Sequence, residues 1–139
     1  MTLLFKGKKM ATHATTAHYK ATPEELFQFI SDIENLPKWA TGFCKKIWKD
    51  SDDYKVETPM GEMYQRFEIN QNLGTIDMYA GPTKDMMWCW PTRVTADNMG
   101  GSVFSFTCIQ MPDQGDAEFE GQCLSLVEEL ENIRKHIDG

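Results

Sequence analysis

Between residues 43 and 111 apolar and polar residues alternate with a period of two, which is typical of half-buried β-strands. The clearest alternation sets apolar against charged positions: Met63, Phe67 and Ile69 against Glu62, Arg66 and Glu68. Short segments rich in Gly, Pro, Asn and Asp interrupt the pattern where turns are expected. It therefore predicts six antiparallel strands, over residues 43–50, 54–58, 62–70, 75–80, 86–96 and 102–111.

A further strand and a short helix are predicted before this run. Residues 13–21 alternate loosely and are rich in Thr, which favours a strand. Thr22, Pro23 and Glu25 then form a capping box with proline at the first helical position. An apolar stripe at helical spacing follows: Leu26, Phe27, Ile30 and Ile33. We expect Pro37 to end this helix by displacing the preceding residue from the helical region.

The last segment of the chain has the spacing of one long amphipathic helix. Asp116 can cap its start, and Arg134, Lys135 and His136 suit its end. Its apolar positions recur every three or four residues: Phe119, Cys123, Leu126, Val127, Leu130, Ile133 and Ile137. Roughly 20 residues at about 1.5 Å each give about 30 Å, enough to cross a small domain.

These elements predict an α+β fold in which a curved antiparallel sheet wraps around the terminal helix. A chain of 139 residues indicates one domain. We assign residues 10–139 to it and predict that residues 1–9 form a disordered tail, because they carry no periodicity. The choice between Met1 and Met10 as the translation start stays open.

The composition excludes several classes of function. The net charge is -7 and the basic residues form no long stripe, so nucleic-acid binding is disfavoured. The apolar segment at residues 3–5 is too short for a signal peptide, and none is long enough to span a membrane. We therefore expect a cytoplasmic protein without membrane insertion, and leave a homodimer open.

The cysteines and histidines form no recognisable site in the sequence. The four cysteines lie far apart without a paired spacing, so we expect reduced thiols. His13 and His18 face opposite sides of a strand, and His136 suits a helix end. We expect neither a metal site nor a cofactor.

The stretch "ATPEELFQFISDIENLPKW" resembles the opening of the START-like, or Bet v 1-like, superfamily, in particular its polyketide cyclase/dehydrase-like branch. The family's pattern is filled here by Pro23, Phe27, Ile30, Asp32, Pro37 and Trp39. The later "WPTRVTADNMGGSVFSFTCIQ" resembles the family's last hairpin, and "LVEELENIRKHI" its terminal helix. The resemblance covers about residues 13–137.

This resemblance implies a helix-grip fold and a cavity between sheet and terminal helix. In that family the short helix closes one end of the sheet, and Trp39 here would help to close it. The cavity usually takes an apolar or amphipathic small molecule such as a lipid, a polyketide or a quinone. A fold alone fixes a mode of binding and no reaction.

Aromatic side chains are the main candidates for lining such a cavity. Trp88 and Trp90 share a face of one strand, and Phe104 and Phe106 share a face of the next. Although some of them will be plain core residues, so much aromatic surface exceeds what a closed core of this size needs. The predicted ligand-binding residues are Trp39, Trp88, Trp90, Phe104, Phe106, Phe119, Cys123 and Val127.

Three charged residues lie within predicted strands: Arg66, Asp77 and Arg93. The default interpretation is that they point to solvent, since charges are rarely buried unpaired. The functional alternative is that one enters the cavity as an acid, a base or an anchor. Asp77 and Tyr79, two residues apart on one face, are the candidate catalytic pair.

Three hypotheses follow from the sequence. The first is a protein that binds a small apolar or aromatic ligand in the cavity. The second is a cyclase- or dehydrase-type enzyme acting in the same cavity, which needs titratable groups at the ligand. The third is a protein-interaction module with a filled core and an exposed apolar patch.

Overall fold

The computed structural model describes residues 9–139, so most of the predicted tail lies outside the described residues. A seven-stranded antiparallel sheet has the order β1-β7-β6-β5-β4-β3-β2. Its strands are β1 Thr12–Tyr19, β2 Lys46–Asp50, β3 Asp53–Thr58, β4 Gly61–Asn70, β5 Thr75–Thr83, β6 Met86–Ala96 and β7 Ser102–Ile109. The helices are α1 Pro23–Ser31, α2 Leu36–Trp39 and α3 Asp116–Ile137, with a 3-10 turn at Ile33–Asn35.

The structure confirms the α+β helix-grip fold, with short helices after the first strand and a long terminal helix. The predicted capping box is present at α1. Thr22 Oγ1 accepts a hydrogen bond from the Glu25 amide, and the Glu25 carboxylate accepts one from the Thr22 amide. Among the described residues, no helix combines the length and apolarity needed to cross a bilayer.

The predicted role of Pro37 is wrong. Helix α1 already ends at Ser31, because the backbone of the next residue, Asp32, is extended, and Leu36 adopts right-handed helical angles. Pro37 lies in the first turn of α2, where its missing N–H has no helical partner to lose. The proline therefore begins a second short helix and does not end the first.

Several strand limits differ from the prediction because pairing, not alternation, sets them. Strand β2 begins at Lys46, since Phe43 and Cys44 bond back to Ala40 in a turn after α2. Pro91 lies in the interior strand β6, but at a position where β6 pairs only with β5, as the missing N–H of a proline allows. Pairing between β6 and β7 begins only at Thr92, directly after Pro91.

Candidate functional site

One face of the sheet, called here the inner face, carries the buried side chains. Val94 on β6 pairs with Phe104 on β7, Ile76 and Met78 lie on β5, and all four are buried. Alternation and register then place further side chains on the same face. They include Val56 on β3, Gln65 and Phe67 on β4, and Trp88, Trp90 and Thr92 on β6.

Helix α3 is fastened along one side of this face, called here the α3 seam. The seam comprises its contacts with β1, with α2 and with the turn at residues 40–44. Tyr19 donates its hydroxyl to the Leu130 carbonyl at 2.8 Å, and Arg134 donates to the His18 carbonyl at 2.6 Å. Asn132 donates to the Trp39 carbonyl at 3.1 Å. Beyond the helix, the Asp138 carboxylate accepts the Lys20 and Ala21 amides.

A buried carboxyl group, Glu129, belongs to the same seam. Its Oε2 accepts the Gly42 amide at 3.0 Å, and burial raises its pKa to about 7 although the Gly42 and Phe43 amides oppose the shift. The approach is close, because a Cβ at residue 42 would collide with the Ser125 hydroxyl. A larger residue at this position would require the Ser125 side chain to move.

The structure brings several predicted aromatic residues together in the core. The Trp39 ring meets Phe104 edge-on with centroids 6.2 Å apart, and Phe104 meets Phe106 in the same way at 6.3 Å. Phe119 is buried at the start of α3, and Trp90 packs against the core while remaining half-buried. The aromatic cluster is therefore continuous from α2 to β7.

Other predicted lining residues lie at the margin of the core. Trp88 has the inner-face register but is 39% exposed near the start of β6, and Val127 is 51% exposed. Val127 was placed in the core stripe of α3, yet it is offset by about 100° from Leu126 on a helix of 3.6 residues per turn. The prediction that Val127 lines the interior is accordingly wrong.

The cysteines are unsuited to nucleophilic chemistry. Cys123 does face the sheet, where its thiol contacts that of Cys108 on β7. Burial raises the pKa of Cys108 to about 12 and that of Cys44 to about 11. Both thiols are protonated at neutral pH, whereas a nucleophilic cysteine needs the thiolate.

Asp77 and Tyr79 share one face, as predicted, but it is the outer face. They alternate with the buried Ile76, Met78 and Ala80. Tyr79 pairs with Cys89, and the Arg66 guanidinium lies over its ring at 4.6 Å. Arg93 is exposed and donates to the Leu73 carbonyl. The sheet thus separates the candidate catalytic pair from α3, and the solvent-facing interpretation holds.

Three buried polar atoms have no hydrogen-bond partner among the described residues: Thr15 Oγ1, Trp39 Nε1 and Gln65 Oε1. Gln65 is 5% exposed and Trp39 is 1% exposed. The sequence analysis missed Gln65 and Thr15. A signal for Gln65 was available, since it is a polar residue in the apolar row of Met63, Phe67 and Ile69.

Two surface clefts flank α1, and neither includes a side chain of α3. The first, called here the edge cleft, has a volume of about 340 Å³ and lies between the end of α1, the start of β3 and the second half of β4. The second, of about 500 Å³, lies between α1 and the β4–β5 turn. No group of three or more metal-ligating side chains occurs within residues 9–139.

Comparisons with known proteins match the fold. No family model matches the chain, and no curated protein matches it. A protein from Bacillus thuringiensis superposes with a TM-score of 0.72 at 12% identity, covering 93% of this chain and 100% of its own. A START superfamily protein from Mycobacterium smegmatis gives 0.64 at 10% identity, covering 94% and 98%. Ara h 8.0201 gives 0.64 at 16% identity, covering 93% and 98%.

The chain therefore has the helix-grip fold of START-like and Bet v 1-like proteins. Identities of 10% to 16% establish the fold alone. The narrower assignment to a polyketide cyclase/dehydrase-like branch stays a prediction.

Proposed function

We propose that this protein binds a small, largely apolar molecule against the inner face of its sheet. The observation that carries the proposal is the presence of buried polar atoms without partners in an otherwise apolar interior. Trp39 offers an N–H donor and Gln65 an acceptor, and neither has a partner among the described residues. Leaving such a group unsatisfied costs about 1–3 kcal/mol, so buried polar groups in native proteins are normally bonded. A bound molecule would supply the partners.

The distribution of contacts also supports this proposal. Hydrogen bonds fasten α3 along the α3 seam, so its position does not depend on filling the whole inner face. The aromatic cluster at Trp39, Phe104 and Phe106 offers the apolar, rigid surface that small-molecule sites use.

The alternative function is a cyclase- or dehydrase-type reaction in the same interior. It is favoured by Glu129, because a carboxyl group with a pKa near 7 suits general acid–base catalysis. Glu129 would then have to serve the reaction while it also holds the Gly42 amide. Ring closure of a linear poly-β-ketone, followed by mass spectrometry, tests the alternative. Turnover that is lost in Glu129→Gln at unchanged ligand affinity would establish it.

Titration with N-phenyl-1-naphthylamine, a neutral dye that fluoresces in apolar surroundings, tests the binding function. We expect saturable binding near one site per chain and quenching of tryptophan emission. A second measurement is mass spectrometry of small molecules extracted from the freshly purified protein. An endogenous ligand should appear there and compete with the dye.

A space-filling variant separates a ligand site from a filled core. Ala80 is buried on the inner face, with Gln65 and Trp88 opposite it on the two neighbouring strands. We expect Ala80→Phe to weaken dye binding at least tenfold with little change in the melting temperature. The matched control is Asp77→Leu on the outer face of the same strand. A close-packed interior would instead lose roughly 1–3 kcal/mol from Ala80→Phe, and that result without saturable binding would overturn the proposal.

A further inference from the structure

The edge cleft lies beside a part of β4 that pairs on one side only. Strand β4 continues to Asn70, but its pairing with β3 ends at Tyr54 opposite Gln65. Beyond that point β4 pairs only with β5. Successive side chains of β4 point to opposite faces of the sheet. Because the cleft lies beside a free strand edge, side chains from both faces contribute to its walls.

The walls of the edge cleft are mostly apolar. Ile33 lines it from the 3-10 turn after α1, and Phe67 and Ile69 line it from β4. Tyr54 and Tyr64 add aromatic rings, and the Tyr54 hydroxyl is held by Glu34 at 2.8 Å. A volume of about 340 Å³ falls within the range of roughly 300–1,000 Å³ that is usual for small-molecule pockets.

Gln65 brings an unsatisfied polar group to these apolar walls. The residue is 5% exposed, it lines the cleft, and its Oε1 has no partner among the described residues. A buried amide in an apolar row is destabilising unless it is bonded, so its position points to a ligand group that completes it. Gln65 carries no charge and can recognise only by hydrogen bonding.

The charges around the edge cleft already satisfy one another. Lys84 pairs with Asp53 at 2.7 Å, and Arg66 pairs with Glu68 at 2.9 Å. The remaining charged wall residue is Asp52, which would repel an anion. No unpaired cation is therefore directed at the cleft from the side chains that line it, and the site disfavours carboxylates and phosphates.

We propose that the edge cleft is a recognition site of the ligand, and that the Gln65 amide, whose Oε1 is occluded in the unbound structure, turns toward the cleft and accepts a hydrogen bond from the ligand there. The ligand class is an uncharged aromatic or apolar molecule with a hydroxyl or N–H group, such as a phenol. This inference rests on the proposed function. It adds the location of the site, a residue that contacts the ligand, and the expectation that the ligand is uncharged.

Three probes with the same ring system test the ligand class: 2-naphthol, naphthalene and 2-naphthoate. We expect 2-naphthol to bind about threefold to tenfold more tightly than naphthalene, the factor that one net hydrogen bond gives. We expect 2-naphthoate to bind most weakly. Amide chemical shifts in a ¹⁵N-labelled sample should change at Ile33, Tyr54 and Phe67.

The Gln65→Leu variant tests the contact. It should keep the circular dichroism spectrum and the affinity for naphthalene, and lose the preference for 2-naphthol. Gln71→Leu is the matched control, because Gln71 lies in the β4–β5 turn and lines the other cleft. It should retain the preference.

The outcomes separate this inference from the proposed function. Shifts confined to Trp90, Phe106 and Leu126, with no change at the edge cleft, would overturn the inference and leave interior binding intact. Tighter binding of 2-naphthoate, or an unchanged preference in Gln65→Leu, would also overturn it. If neither these probes nor N-phenyl-1-naphthylamine binds the native protein, both proposals fail.

Discussion

The α3 seam and the edge-cleft side of the sheet are held together in different ways. At the seam, side-chain hydrogen bonds within the chain fasten α3, as in Tyr19 with Leu130 and Glu129 with Gly42, although Thr15 Oγ1 on β1 and Trp39 Nε1 on α2 have no partner among the described residues. At the edge-cleft side, Gln65 Oε1 is left without a partner, and the strand beside it loses its neighbour after Tyr54. One half of the domain is fastened by hydrogen bonds from a helix, whereas the other ends at a strand edge that pairs on one side only.

The comparison indicates how a small domain can combine stability with an unfilled site. Fastening one long helix to β1 and α2 fixes both the helix and the closed end of the sheet. The opposite half then needs no buried contact with the helix to keep its shape, because its strands are held by their own ladders. We expect substitutions to act mainly on stability at the seam and mainly on binding at the edge cleft.

The largest effect is expected from Leu130→Asp. Leu130 is 2% exposed on α3, and an unpaired buried carboxylate costs several kcal/mol against a total stability of roughly 5–15 kcal/mol. The variant should be unfolded or insoluble, as seen by near-ultraviolet circular dichroism. Leu124→Asp is the control, since Leu124 is 71% exposed and should change stability by less than about 0.5 kcal/mol. A folded Leu130→Asp variant would mean that the seam is not the stabilising half.

The next largest effect concerns pH. The folded-state pKa of Glu129 is raised from 4.5 to about 7, so the folded protein binds more protons than the unfolded chain between these values. Its contribution therefore lowers the free energy of unfolding as pH rises through this window, by about 3 kcal/mol in total.

Denaturant melts of Glu129→Gln at pH 5 and pH 8 check this sign. The wild type should lose more stability than the variant between the two values, and the difference between the proteins isolates the one carboxyl group. Glu120→Gln, a change at an exposed position on the same helix, should behave like the wild type. If the free energy of unfolding changed equally with pH in Glu129→Gln and the wild type, the raised pKa of Glu129 would be contradicted.

A smaller effect is expected from removing a single hydroxyl at the seam. Tyr19→Phe deletes the bond to the Leu130 carbonyl and should lower the free energy of unfolding by about 1 kcal/mol. Tyr54→Phe deletes the exposed bond to Glu34 on the edge-cleft side and should cost less than about 0.5 kcal/mol. Chemical denaturation measures both changes. Equal losses of unfolding free energy in the two variants would contradict the expected difference between the two regions.

The smallest effect on stability is expected from Gln65→Leu. Removing a buried acceptor that has no partner relieves a desolvation penalty, so the apo protein should be unchanged or more stable by up to about 1 kcal/mol. Thermal melts without ligand measure this. A clear loss of stability would mean that Gln65 already has a hydrogen-bond partner within the folded chain and does not need one from a ligand.

Much of the fold could be predicted because local chemistry and tertiary packing agree. Thr22 and Glu25 predicted the start of α1, and the stripe through Phe119, Leu126 and Leu130 predicted the buried side of α3. Pro37 was misjudged, because a proline forbids a helix interior and also favours a helix start. The residue alone does not distinguish the two positions.

The site was less predictable, since it depends on which face of the sheet is buried and on where the pairing between strands ends. Alternation showed that Asp77 and Tyr79 share a face, but their outer position follows from the buried residues between them. Gln65 is one polar residue in an apolar row, and its importance arises from the point at which β3 stops pairing. That point is set by the β2–β3 turn, which lies far from Gln65 along the chain.

The pairing of β1 with β7 has a consequence for biosynthesis. Strands β2 to β7 pair with their neighbours in sequence and can assemble as a meander while the chain is being made. Strand β1 is made before this meander but can pair only after β7 has been made, and α3 follows β7 in the chain. The apolar inner face is thus uncovered until α3 has been made, which exposes the nascent chain to aggregation during that interval. Truncation within α3 should therefore reduce the soluble yield in the cell more than it reduces the content of β-structure.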